Sequence, residues 1–245
     1  MLKNNIVPKS ISEESFKEMI TQKPTELFRS NSKLKKDGIF QWSIPAYKAK
    51  VFLDNKFQMI QTCPNAGVCL NFCYASSGNF VFKNVLISHH RNLNFILNFP
   101  KDFIQQATKE IQKKKIKILR IHDSGDFFSE SYLNIWLQVI EENPNVQFYC
   151  YTKNISLFRG LKNAPKNFTY VFSFGGNKDS EINLKKDRYA KIFKTEESLT
   201  EHKFHNVSVS DLKASNKQIK KIGLIAHGTY IVKRNLNKMS EVISG

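Results

Sequence analysis

An α/β fold built on a parallel sheet is the architecture this 245-residue sequence predicts, and three observations carry it. Between residues 115 and 175, β-rich runs alternate with helical ones, an order that generates βαβ units and sets the strands parallel. Hydrophobic residues make up 41% of the chain and include 20 phenylalanines, enough for a sizeable core and against wholesale disorder. No repeat, low-complexity tract or Gly- or Pro-rich linker interrupts the pattern. Residues 41–245 are therefore expected to form a single α/β domain behind a polar, lysine-rich and partly flexible lead-in of residues 1–40.

Within the lead-in, "SEESFKEMITQ" reads as one short helix. The stretch "KAKVFLDNKFQMIQT" reads as two strands around an Asp54-Asn55 turn, and the second runs straight into a cysteine-rich loop. Residues 82–98 have helical spacing, and Pro100 stands where a new helix can begin. The next segment places Phe103, Ile104, Ala107 and Ile111 on one face, an amphipathic stripe. Then follow a strand over 115–122, a helix over 129–143 with Tyr132, Trp136, Val139 and Ile140 aligned, a strand over 146–152, a short helix in "SLFRGLKN" and a strand over 168–175. Beyond residue 176 the pattern weakens, with "HNVSVSD" and "KIGLIAHGTYIV" as candidate strands.

The formal charge is +17, from 38 Lys and Arg against 21 Asp and Glu. Such an excess favours a polyanionic partner, because basic side chains displace counterions condensed on phosphate backbones. A nucleic acid or nucleotide is the partner this implies, although lysine-rich clusters also serve as solvated helix faces. No apolar run has the length of a membrane span and the first residues lack a signal peptide's apolar core, so a cytoplasmic protein is expected. There thiols stay reduced, and four cysteines point to metal binding or catalysis rather than disulfides.

Three of the four cysteines crowd into "TCPNAGVCLNFCYA", as Cys63, Cys69 and Cys73. A structural zinc takes four ligands, and the fourth would have to be Cys150 or one of His89, His90 and His122. A cubane iron–sulfur cluster has a different requirement: three thiolates hold three irons and the fourth iron stays open to a ligand that is not protein. Cys150 lies mid-strand between Tyr149 and Tyr151, the position of a small buried filler, and is left out of the site.

The aromatic Phe72 immediately before the last cysteine resembles the cluster loop of radical S-adenosylmethionine (radical SAM) enzymes. About fifty residues later, Ser124-Gly125-Asp126 and Thr152-Lys153-Asn154 fall at two successive strand ends, similar to the cofactor-binding turns of that superfamily's partial TIM barrel. The chain is also similar to the small phage proteins of the gene product 88 family, which pair a "CP-x-A/G-x-x-C-x3-CY" segment with an "SGDF" segment. The resemblance covers residues 57–176. It implies a partial TIM-like (β/α) barrel of radical SAM type, a 4Fe–4S cluster on Cys63, Cys69 and Cys73, and S-adenosylmethionine held near Ser124, Gly125, Asp126 and Ser173. It also implies an electron donor. The sequence departs from the common pattern in its C-x5-C-x3-C spacing, against C-x3-C-x2-C, and in carrying Asp126 where a glutamate is usual.

Each of these features has a plainer explanation. Ser129 is suited to cap the 130–143 helix and Asp126 to favour its positive end, yet capping leaves the crowding of His122, Asp123, Ser124 and Asp126 at one strand end unexplained. His122 is either a substrate contact or a satisfied structural histidine, His89 and His90 read as packing or surface residues, and "SFGG" after Phe172 has the composition of a simple turn. The alternative function is a non-enzymatic nucleic-acid-binding protein, a replication or regulatory factor, whose cysteines hold a structural zinc or iron–sulfur site.

Overall fold

The computed structural model describes residues 11–226. Its framework is a seven-stranded parallel half-barrel sheet, a partial (β/α) barrel. The strands are β1 (Ile39–Trp42), β4 (Ile118–Ile121), β5 (Gln147–Thr152), β6 (Phe168–Ser173), β7 (Tyr189–Phe193), β9 (Lys221–Ile225) and β8 (His205–Asn206), in that order across the sheet. The hairpin β2 (Lys48–Leu53) and β3 (Lys56–Gln61) stands apart as a two-stranded antiparallel sheet. Asp54 and Asn55 both take positive φ at its turn, the backbone that a tight two-residue hairpin requires.

The predicted helices form α1 (Glu13–Thr21), α3 (Lys83–Asn98), α4 (Pro100–Lys114), α5 (Glu130–Glu142) and α6 (Ile155–Arg159). Pro100 occupies the first turn of α4, where a missing N–H costs nothing, and Ser129 caps α5 by accepting from the Tyr132 N–H at 3.2 Å. The helices α4 and α5 cover one face of the sheet, where Trp42, Phe103, Leu119, Trp136 and Phe148 are fully buried in one continuous cluster. The opposite, inner face buries Ile39, Tyr149, Val171, Ala190 and Ile222.

Residues 11–40 join this framework closely. Phe16, Ile20, Leu27, Phe28 and Leu34 are buried, and the Glu110 carboxylate accepts from the Leu27 and Phe28 backbone N–H groups at 2.8 and 2.9 Å. A short α2 (Ser32–Lys36) leads into β1, a strand the sequence pattern did not reveal because its four residues follow a polar, lysine-rich run. The second half holds α7 (Glu196–Glu201) and α8 (Leu212–Ser215) between its strands. "HNVSVSD" contributes only the two residues of β8, and the predicted strand from Lys221 is seen to Ile225, with residues 227–232 outside the described residues. No helix among the described residues is long and apolar enough to cross a membrane.

Asp211 draws the early and late parts of the chain together. Its carboxylate accepts from Arg120 on β4 and from the Tyr149 hydroxyl on β5, both at 3.0 Å, and pairs with Lys33 of α2 at 3.5 Å. Its own backbone N–H donates to Asp37 at 3.1 Å.

Candidate functional site

Ligand sites of parallel β/α folds sit beyond the carboxyl ends of the strands, where loops converge. Here the turns after β4, β5 and β6 converge with the cysteine loop around one cavity of about 240 Å³. Cys63, Cys69 and Cys73 all border it, as do Ser124, Gly125, Asp126 and Ser173. The structure thus brings together every site residue singled out in the sequence. Cys150 does not border it. That thiol is fully buried among the helix-side core residues, as expected of a filler.

The cysteine loop is held by backbone bonds at both ends. The Thr62 N–H donates to Tyr47 O at 2.8 Å, and the Tyr47 N–H donates to Cys63 Sγ at 3.3 Å. At the other end, the N–H groups of Gly67 and Cys69 both donate to Gly175 O, at 3.2 and 3.0 Å, and Ala66 bridges Gly176. The "SFGG" segment is therefore the seat of the cysteine loop. Gly175 takes φ +98°, and a Cβ on Gly67 would lie 2.7 Å from the Gly176 carbonyl carbon, so the two backbones meet only because both lack side chains there. Asp179 completes the seat by accepting from the Gly175 and Gly176 N–H groups at 2.8 and 2.9 Å.

The turn after β4 is equally constrained. His122 has φ +68°, a left-handed conformation that few non-glycine residues take. Gly125 has φ +86°, and a Cβ there would sit 2.3 Å from Ile44 Cγ1, so glycine lets this turn press against Ile44. The Ser124 hydroxyl donates to Ile44 O at 2.5 Å, and the Ile44 N–H returns a bond to Ser124 O at 3.2 Å. Asp126 is buried, with Oδ1 accepting from the Phe127 N–H at 2.7 Å and Oδ2 from the Lys153 N–H at 2.8 Å. Burial pushes its carboxyl above the usual range, against the lowering effect of these hydrogen bonds and of the Lys153 charge.

At the end of β6, Ser173 Oγ accepts from Lys153 Nζ at 2.9 Å. Lys153 is the residue that sequence reasoning noticed only as part of a turn. Its signal was the alternation Tyr149, Tyr151, Lys153, which continues the face of the two tyrosines one residue past the end of β5 at Thr152. Arg120 and Asp211, also on the cavity wall, went unremarked because an ion pair between residues 91 positions apart leaves no local pattern.

The thiols keep partial exposure. Burial pushes Cys63 well up from its ordinary value, and the nearby Asp126 charge adds to this. Burial raises Cys73 too, opposed by the Ala75 N–H and by the Lys153 charge. Such thiols ionise when a metal displaces their protons. Of the four candidates for a fourth ligand, only His122 borders the cavity, and its Nε2 is bonded to the Tyr132 hydroxyl at 2.8 Å.

Among the described residues, no group of three or more His, Cys, Asp and Glu is arranged to hold a metal ion. One zinc with bonds of about 2.3 Å would gather its sulfurs to within about 4 Å of one another. A cubane takes one thiolate on each of three irons, and the three cavity-lining thiols match that donor set in number and kind.

No solved structure matches this chain. It is 33% identical over 102 residues to the Gene 88 protein of Mycobacterium phage L5, covering 38% of this chain and 43% of that protein. The Gene 88 protein of Mycobacterium phage D29 is likewise 33% identical over 102 residues, covering 38% and 42%. The aligned segment thus spans about two fifths of the length of these curated relatives. The model of the family described as Gene product 88 matches residues 20–232, which takes in the cysteine loop, the three strand-end turns and the sheet, and the chain belongs to that family.

Proposed function

We propose that this protein is an iron–sulfur enzyme of radical SAM type, with a 4Fe–4S cluster on Cys63, Cys69 and Cys73 and S-adenosylmethionine beside Gly125 and Asp126. The observation that carries this reading is the convergence of three thiols, without Cys150, on the cavity bordered by the turns after β4, β5 and β6. When bound, such a cluster supplies the electron that cleaves a carbon–sulfur bond of the cofactor.

The chain's own residues position and enclose. Asp126 holds the β4 and β5 turns in register through its two backbone contacts. A carboxylate has about four acceptor sites. The Phe127 and Lys153 amides and the Thr152 side chain use three, which leaves one for the amine of a bound cofactor. Gly125 keeps the turn flat against Ile44, and the Gly175–Gly176 seat holds the thiol loop over the strand ends.

The charge of +17 supports a nucleic acid or nucleotide as substrate, and the chemistry requires an external electron donor. Anaerobic reconstitution with iron and sulfide, followed by reduction in the presence of S-adenosylmethionine, tests the reading. Formation of 5′-deoxyadenosine that depends on Cys63, Cys69 and Cys73 is expected. A reconstituted, iron-loaded protein that forms none, with or without added DNA or RNA, would sink the radical SAM assignment.

A further inference from the structure

We propose that the cavity receives a small ligand bearing an oxyanion, a carboxylate or phosphate group, with Lys153 as its charged contact and Arg120 and Tyr151 as further donors. The proposal does not depend on a cluster being present. It begins from donors that outnumber their acceptors.

An ammonium carries three protons to donate. Lys153 Nζ gives one to Ser173 Oγ at 2.9 Å, and among the described residues no carboxylate lies within ion-pair distance of it. Asp126 accepts the Lys153 backbone N–H at 2.8 Å but forms no ion pair with its ammonium. Among the described residues the buried hydroxyl of Tyr151, two residues earlier on β5, has no hydrogen-bond partner, and neither has Nε of Arg120. The Arg120 guanidinium lies 5.1 Å from the Tyr151 ring centre, so these two donors are neighbours. Arg120 already has its charge met by Asp211 at 3.0 Å and Asp123 at 3.5 Å. It therefore offers a hydrogen-bond donor, while Lys153 offers a charge with no carboxylate at ion-pair distance among the described residues.

Buried polar groups in folded proteins find partners, and leaving a donor unfilled costs about 1–3 kcal/mol. A surplus of donors around a cation selects an acceptor-rich anion. The rest of the wall combines the apolar side chains of Phe72, Ile192 and Leu224 with the carboxylates of Asp123, Asp126 and Asp211, which already serve Arg120, Lys33 and backbone amides. The ligand that fits has one charged end and an apolar remainder. At about 240 Å³ the cavity suits a small molecule or the projecting end of a larger one.

The half-exposed thiols report on this charge directly. In the metal-free full chain, Cys73 is alkylated with anionic iodoacetate and with neutral iodoacetamide, and the rate ratio is compared with that of free cysteine. The thiolate fraction affects both reagents alike and cancels, so the ratio reads the attraction of the site for an anion. The ratio is expected to exceed that of free cysteine about threefold or more. Inorganic phosphate should suppress the iodoacetate reaction preferentially. Lys153→Met should return the ratio to the free-cysteine value, Lys153→Arg should preserve it, and Tyr151→Phe should weaken phosphate protection while leaving the ratio in place.

Protection by S-adenosylmethionine but not by decarboxylated S-adenosylmethionine would identify the anion as the cofactor's carboxylate. Protection by nucleoside monophosphates but not by S-adenosylmethionine would identify a substrate phosphate. Either result supports the site. An equal ratio in the parent and in Lys153→Met, or indifference to phosphate, overturns it. Because the protein is metal-free, failure of the cluster reading leaves this test intact.

Discussion

The carboxylate of Asp126 accepts the backbone N–H of Lys153 at 2.8 Å, so the turn after β4 and the turn after β5 are held by one buried anion. Its other oxygen holds the Phe127 N–H, and its own N–H donates to Thr62 O at 3.0 Å, beside Cys63. One residue thereby joins two strand ends to the base of the thiol loop.

Replacing Asp126 by Asn would turn an amide NH₂ toward one of these two N–H donors. The loss of an acceptor in a buried site should cost about 1–3 kcal/mol of stability, read as a lower urea midpoint. Cofactor affinity, measured anaerobically by calorimetry, should fall along with it. Parental stability and affinity in this variant would show that the bridge does not organise the turns.

At Gly125 both φ and space oppose a side chain. Alanine there should destabilise by about 2–5 kcal/mol, from the left-handed backbone together with the clash against Ile44. Adding Ile44→Ala should recover the clash but not the backbone strain, so the double variant is expected to be more stable than additive losses predict. Simple additivity of the two losses would show that the contact is not the cause.

Asp211 has 1% side-chain exposure and receives Arg120, Tyr149 and Lys33. Asp211→Ala should cost about 3–5 kcal/mol, because it leaves the Arg120 guanidinium buried with only the longer Asp123 contact. Hydrogen exchange should show faster opening of both β1 and β9, since Asp211 links α2 to the late strands. Loss of protection in β9 alone would contradict the linking role.

Acid should unfold this protein early. His90 and His122 are buried and held neutral, with burial pushing their pKa values down to about 4 and about 3. A depressed histidine contributes stability that is present above the unfolded-state value of about 6.5 and lost as pH falls toward the folded-state value. These two groups alone give a slope of about 2.7 kcal/mol per pH unit below about pH 6, and His89, which burial also pushes down to about 3, adds to it. Urea midpoints between pH 7.5 and 5.5 should fall accordingly, and His90→Gln should flatten the dependence. A pH-independent midpoint in that window would contradict the burial of neutral imidazoles.

Much of the first half of the fold was legible because local chemistry encodes it. Asp54-Asn55 specifies a hairpin turn, Pro100 a helix start, and the alternation from Ile118 to Ser173 a parallel sheet. The thiols and the Ser124-Gly125-Asp126 turn were legible because their residue types are unusual at that spacing. What stayed hidden depends on contacts distant in sequence. The chain around β1 reads as polar yet supplies an edge strand, and Gly175–Gly176 reads as a turn yet seats a loop more than a hundred residues upstream. Ser124 borders the cavity where a ligand was expected, but the bond of its hydroxyl to Ile44 O, a partner 80 residues away, left no trace in the local sequence.

Metal and sulfide content of the anaerobically purified chain tests the central claim most directly. The account predicts iron with acid-labile sulfide in roughly equal amounts, as a 4Fe–4S cluster requires. Cys63→Ala, Cys69→Ala and Cys73→Ala should each lose both, while Cys150→Ala, whose thiol lies in the helix-side core, should keep them. Zinc without iron, or a Cys150→Ala protein as metal-free as the other three, would contradict the account.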